Sequence, residues 1–348
     1  MKRFYLPRIS SIGGCCGKVS PKFLNEILCK LRQTDILSGI YQDSLLNNDC
    51  ALHRIDDNTS LAVTIDFMHS PVLETDIFGA IAACNALSDI YTLGVMPNIC
   101  LNILGLPDNV DSQVVESIHM AGISKINEAG AILVGGHTLR NHDFIYGFSV
   151  IAVIQNNKYW NFINIKPTDR LLLTKPLGIG VTLGAKLKGL ISSVEADNAI
   201  SYATTLNKAP VEALQNIPVS AATDVTGFGF IGHLSNLAND ANVAFTINFN
   251  NVPILPEAIE LYNIGATTSL TQKNKMYYGG GVMTLGNLTD TEINCMYDPQ
   301  TNGGLVICVP ETHYLEATVK LSQKGVFYKD IGYVTEYTGH RVVIKKDN

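Results

Sequence analysis

Residues 77 to 93, I-F-G-A-I-A-A-C-N-A-L-S-D-I-Y-T-L, constrain this chain more than any other stretch. The run reads as a long, Ala-rich, mostly apolar helix stopped by Gly94 and then Pro97. No apolar run in the sequence reaches the length of a membrane span, so this helix needs a protein core to lie against. One carboxamide and one carboxylate interrupt it. Asn85 and Asp89 are four apart and share one helical face. A carboxylate on so apolar a helix is costly to bury unless it is paired or holds a metal. The alternative is a face that meets solvent near an edge.

The chain has 348 residues, beyond the usual size of a single core, so two domains are expected. At 46% hydrophobic and 16% charged it is an ordinary globular composition. A net charge of −6, with no basic stripe, argues against nucleic acid as a partner. The N-terminus has no continuous apolar core of a signal peptide. The eight cysteines, at 15, 16, 29, 50, 84, 100, 295 and 308, show no C-x-x-C spacing and most sit in apolar contexts. Reduced thiols in the cytoplasm fit that usage, with no membrane association.

Around the helix the sequence alternates strand and helix patterns. Strands are expected at 60–67, 99–107, 131–138 and 146–154, with a helix across 112–128 and helical spacing in P-K-F-L-N-E-I-L-C-K-L. The 131–138 strand is read as running into a Gly-Gly turn. The polar N-N-K-Y-W-N at 156–161 marks a domain boundary near residue 157. The expected division is a loop segment 1–20, an N-terminal domain 21–157 and a C-terminal domain 158–348, with α/β or α+β character in each. The second half opens with R-L-L-L-T-K-P-L-G-I-G, a strand into a glycine loop and helix. S-A-A-T-D-V-T-G-F-G-F-I-G-H-L-S-N-L-A is a loop feeding another helix, and further strands are expected near 244–249, 304–309 and 341–345. No repeat is evident.

Asp49, Asp66, Asp89 and Asp224 lie at turns, strand ends and the apolar helix. Each alone is most simply a turn former. Together, with no His or Cys at metal-like spacing, they suit a hard, oxygen-seeking cation such as Mg²⁺ and point towards phosphate chemistry. The glycine loops G-G-H-T (135–138) and G-I-G-V-T-L-G (178–184) present backbone N–H groups of the kind that cradle phosphates. The second is only a weak match to a dinucleotide fingerprint, and no Walker A loop exists. His137 is either a ligand-facing donor or a structural turn residue. In I-G-G-C-C-G-K-V-S, Cys15 and Cys16 precede Lys18, whose ammonium lowers a nearby thiol's pKa, and the glycines suit a mobile catalytic lid. The alternatives are a vicinal redox pair or a loose terminus.

Eight stretches in order carry a family resemblance: Cys15-Cys16-Gly17-Lys18, N-D-C-A (48–51), T-I-D-F (64–67), N-A-L-S-D-I-Y (85–91), V-G-G-H-T (134–138), T-K-P-L-G-I-G (174–180), T-D-V-T-G-F-G-F-I-G-H-L (223–234) and D-P-Q-T-N-G-G-L (298–305). The chain resembles selenophosphate synthetase, of the aminoimidazole-ribonucleotide-synthetase-like superfamily, over about residues 8 to 345. The resemblance implies a two-domain α/β and α+β fold whose N-terminal domain makes a homodimer through a β-barrel. It implies the reaction of ATP, selenide and water to selenophosphate, AMP and orthophosphate, with several Mg²⁺ ions and a K⁺ ion. Carried over by position, Asp49, Asp89 and Asp224 would be Mg²⁺ ligands. Lys18 would contact the phosphates, and Asp66, Asn85, Gly135, Gly136, His137 and Thr138 would line the nucleotide site. Cys15 takes the place of the catalytic Cys or selenocysteine, with Cys16 as the second candidate.

The chain also departs from that family. The usual loop order is Cys-Gly-Cys-Lys with a His four before the first Cys; here the order is Cys-Cys-Gly-Lys and Ser11 holds the His position. Asn302 replaces the usual Ser of D-P-Q-T-S-G-G. These changes leave room for two rival readings: a superfamily phosphotransferase with another acceptor, and a non-catalytic nucleotide-binding regulator. The full set of Asp49, Asp89, Asp224 and Lys18 speaks against the regulator. A dehydrogenase reading of the 178–184 loop ranks last.

Overall fold

The computed structural model describes residues 49–155 and 158–347, together with Tyr5, Leu6, Val19, Lys22, Phe23 and Glu26. Lys22, Phe23 and Glu26 are helical, in the stretch where helical spacing is expected. Cys15, Cys16, Lys18 and Ser11 lie outside the described residues.

The N-terminal half is one sheet with two helices on one face. Strands β1 (Ala51–Arg54), β2 (Thr59–His69), β3 (Ile99–Leu106), β4 (Ile132–Arg140) and β5 (Ile145–Gln155) pair in the order β1-β2-β5-β3-β4. Only the β3–β4 pair is parallel. Helices α1 (Thr75–Thr92) and α2 (Ser112–Ala129) cover the sheet. Strand alternation sends Thr64, Asp66 and Met68 towards α1, while Ile65 and Phe67 face outwards.

Helix α1 is the Ala-rich apolar run, and its all-round hydrophobicity has a cause. It lies against the sheet and α2, and its remaining surface packs on the C-terminal half. Phe78, Ile81, Ala83, Leu87, Ile90 and Tyr91 are all fully buried. Gly94 then ends the run at φ +70°, and a Cβ there would overlap the Trp160 indole.

The C-terminal half builds a seven-stranded sheet. Its strands are β6 (Arg170–Leu173), β7 (Ala221–Asp224), β8 (Val243–Asn248), β9 (Val282–Leu285), β10 (Leu305–Val309), β11 (Lys329–Glu336) and β12 (Val342–Lys345), in the order β7-β10-β6-β11-β8-β12-β9. The helices nearest the junction with the first half are α3 (Ile179–Leu187), α4 (Asp197–Ala203), α5 (Lys208–Leu214) and α6 (Gly229–Asp240). Strand β7 and helices α4 and α5 touch α1, so the two halves meet on the apolar helix. Among the described residues no helix is long and apolar enough to cross a membrane.

The Gly-Gly turn expected at 135–136 is not a turn. Strand β4 runs on through it to Arg140, and the register slips by one residue opposite Cys100 and Asn102. The glycines form a bulge: Gly135 and Gly136 adopt φ +143° and +157°, and a Cβ on Gly136 would strike the Asn102 carbonyl.

Candidate active site: an acid triad where the two halves meet

Strand and helix periodicities coincide at α1. Thr64 and Asp66, two apart on β2, are separated by about 7 Å along the strand, and one helical turn from Asn85 to Asp89 covers about the same length. The two pairs therefore engage as a ladder. The Thr64 hydroxyl donates to Asp89 Oδ2 at 2.5 Å, and the Asn85 amide donates to Asp66 Oδ2. The face carrying Asn85 and Asp89 thus meets strand β2 and not solvent, and Asn85 is completely buried.

On the other side of Asn85 stands the C-terminal half. The backbone N–H of Asn302 donates to Asn85 Oδ1 at 2.8 Å. Asn302 sits at φ +50°, a conformation that asparagine tolerates better than most residues. Its own amide donates to the carbonyls of Ala203 and Thr205, both at 2.8 Å. A serine has one hydroxyl proton and cannot satisfy both oxygens. Lys175 completes the clamp, with Nζ 2.7 Å from the Thr205 carbonyl and 2.9 Å from that of Asn302. Burial pushes this lysine down to about 7, against a smaller upward pull from Cys84 and Asp224. Asn207 joins the same turn to α1, donating to Ser88 Oγ and to the Gly303 carbonyl.

Asp49, Asp89 and Asp224 arrive from the residue before Cys50, from α1 and from the end of β7, and each offers an oxygen within 4.8 Å of the others. Asp224 is wholly buried and the other two are half-buried. Three carboxylates this close repel one another unless a cation lies among them. The donors are all hard oxygens, which suits Mg²⁺ or a similar ion and not zinc. Burial, and then the three negative charges beside it, raise the Cys50 thiol pKa well above the ordinary value. Thr223 donates to Asp49 Oδ2 at 3.2 Å.

The glycine loop 178–184 binds something other than phosphate. Gly178 N–H and Ile179 N–H both donate to Gln300 Oε1, at 3.0 and 2.8 Å, and Val181 N–H donates to Asp298 Oδ2 at 3.0 Å. The start of α3, where an anion would sit, is filled by side chains of D-P-Q-T. Gly180 is required because a Cβ would overlap the Pro299 carbonyl. The phosphate-cradling and dinucleotide readings of this loop are corrected accordingly.

Two family models match the chain, "AIR synthase related protein, N-terminal domain" over residues 47–154 and "AIR synthase related protein, C-terminal domain" over 166–345. A protein named selenide, water dikinase from Clostridioides difficile is 35% identical over 306 residues, 88% of each chain. Another of that name, from Carboxydothermus hydrogenoformans, is 32% identical across 99% of this chain and all of its own. The chain belongs to the selenide, water dikinase family. Solved structures show the same fold at low identity. Thiamine monophosphate kinase from Aquifex aeolicus aligns with a TM-score of 0.67 at 16% identity, covering 94% of this chain and 98% of that one. The hydrogenase maturation protein HypE from E. coli aligns with a TM-score of 0.63 at 16% identity, covering 92% of each.

In this selenide, water dikinase family member, the described residues expected at the site fall into two groups. Asp49, Asp66, Asn85, Asp89 and Asp224 stand together around α1. Gly135, Gly136, His137 and Thr138 do not join them. Asp66, Phe148, Asn102 and Gly136 are paired across one row of the sheet, which puts Gly136 three strands, about 14 Å, from Asp66. All four β4 residues are exposed at the sheet edge. Sequence reading missed Thr64, Lys175, Thr223 and His233. Only Thr64 carried a signal: its two-residue spacing from Asp66 matches the four-residue spacing of Asn85 and Asp89.

Proposed function

We infer that this chain makes selenophosphate from ATP, selenide and water, releasing AMP and orthophosphate. The observation that carries the reading is the acid triad, assembled from both halves of a chain that matches selenide, water dikinases along nearly its whole length. Phosphoryl transfer asks a protein mainly for positioning and charge neutralisation, and an all-oxygen triad suits that task. Asp49, Asp89 and Asp224 would hold Mg²⁺, which supplies positive charge against the phosphates. Asp66 and Asn85 line the nucleotide, fixed by their mutual hydrogen bond and by the Asn302 backbone. Lys18 neutralises phosphate charge, Cys15 handles the selenium with Cys16 as its neighbour, and K⁺ joins the nucleotide site. The reaction belongs in the cytoplasm, where selenide and thiols stay reduced.

The outward face of the five-stranded sheet supports a homodimer. Ile65, Phe67, Ile132, Leu139 and Val153 are all exposed there. Apolar exposure on this scale marks an interaction surface. A second copy closing the sheet into a β-barrel covers it and brings its own Gly135–Thr138 edge to a neighbouring site, which answers the separation within one chain.

Phosphorus NMR of the products from ATP and Mg²⁺, with and without selenide under anaerobic conditions, tests this. The expected result is selenophosphate and AMP appearing only when selenide is present. ATP consumed without selenophosphate would assign the chain to another acceptor.

A further inference from the structure

The Asp49 carboxylate is held by a chain of hydrogen bonds whose direction is set three groups away. His233, on the second turn of α6, is buried at 6% exposure and turned back towards the loop that precedes its helix. The backbone N–H of Thr226 lies 3.1 Å from its Nε2. A backbone N–H only donates, so Nε2 presents its lone pair and the ring proton of the neutral imidazole is on Nδ1. That nitrogen faces Thr223 Oγ1 at 3.5 Å. The hydroxyl accepts there and sends its single proton to Asp49 Oδ2 at 3.2 Å. The Thr226 hydroxyl also lies 3.2 Å from Nε2, a second donor for the same lone pair.

We propose that Thr223 and His233 are positioning residues that orient the Asp49 carboxylate for the cation of the acid triad. The inference rests on the cation reading of that triad. Asp49 is half-buried and lies beside a cavity of about 240 Å³ lined also by Thr223, His233, Trp160, Phe228 and Asp240. A carboxylate on such a wall can swing towards the cavity unless one oxygen is held. The hydroxyl of Thr223 holds Oδ2, and His233 keeps that hydroxyl from rotating away. Partners of this kind, one bond removed from a metal ligand, typically change metal affinity about 10- to 100-fold. Water entering the cavity replaces part of a lost hydrogen bond, so the effect here lies at the lower end.

The test is a Mn²⁺ titration followed by electron paramagnetic resonance, with a β,γ-methylene ATP analogue present and subtracted. Thr223→Val keeps the shape and removes the hydroxyl; Thr223→Ser keeps the hydroxyl. The expected result is Mn²⁺ affinity about tenfold weaker in Thr223→Val and within about twofold of wild type in Thr223→Ser. His233→Leu weakens binding in the wild-type background and adds nothing in the Thr223→Val background, because the two residues act through one bond. Wild-type binding with an unchanged Thr223→Val overturns the proposal and leaves the cation site standing. Wild type that binds no Mn²⁺ beyond the analogue alone overturns the cation reading, and this proposal with it.

Discussion

Lys175 donates to two main-chain oxygens, and among the described residues no carboxylate forms an ion pair with it. Its amine is held near 7 by burial, against about 10.4 for a free lysine. Below about pH 7 it carries its charge in both folded and unfolded chains, and the full burial cost is present. Between about 7 and 10 the unfolded chain binds a proton that the folded chain has released, so stability rises with pH there. Lys175→Met has no such group. Denaturant titrations at pH 6.5 and 9 should therefore show wild type gaining on the variant at the higher pH; a pH-independent difference would refute the buried-amine account. None of this was legible in T-K-P-L-G-I-G, because Lys175 meets partners 30 and 127 residues away. The carboxylates were legible singly, since an aspartate in an apolar helix is conspicuous. What sequence lacked was Thr223 and His233, ordinary residues until β7 and α6 are placed side by side.

Among the elements, α1 was the most readable, because an all-round apolar run has few places to go. The glycine-rich segments were the least. Gly135 and Gly136 read as a turn and form a bulge, while the 178–184 loop reads as a phosphate cradle and is capped by Asp298 and Gln300. A glycine signals unusual backbone or a close neighbour, and sequence does not say which. Helices α1 and α3 are also joined by charge. Glu74, at the start of α1, meets Lys186 of α3 at 2.7 Å, with side chains 6% and 7% exposed. Burial raises the Glu74 carboxyl, but the Lys186 ammonium, a backbone hydrogen bond and the Ser193 hydroxyl together outweigh it and hold the group below the ordinary value. The pair therefore stabilises above the ordinary carboxylate range and its contribution is lost as pH falls through the folded value. Lys186→Met leaves a buried charge without its partner and should cost about 3–5 kcal/mol at pH 7. Urea unfolding checks this, and the cost should shrink in acid.

At the scale of the molecule, the mixture of strands and helices in both halves was readable from the alternating patterns. The strand order was not, because pairing such as β10 between β6 and β7 depends on contacts between distant segments. The outward sheet face belongs to this scale too. Phe67→Glu places a charge on the outward face beside Ile65 without touching α1. Light scattering coupled to size exclusion should find the variant monomeric and wild type dimeric. A variant that stays dimeric would place the interface elsewhere.

Asn85 has one amide and uses both ends. Its nitrogen grips Asp66 in the first half of the chain, and its oxygen receives the Asn302 backbone from the second. Any rotation that parts the halves must break that second contact, at the very residue assigned to the nucleotide. Opening the molecule and disturbing the proposed nucleotide wall are then a single mechanical event, with Asn85 as the latch.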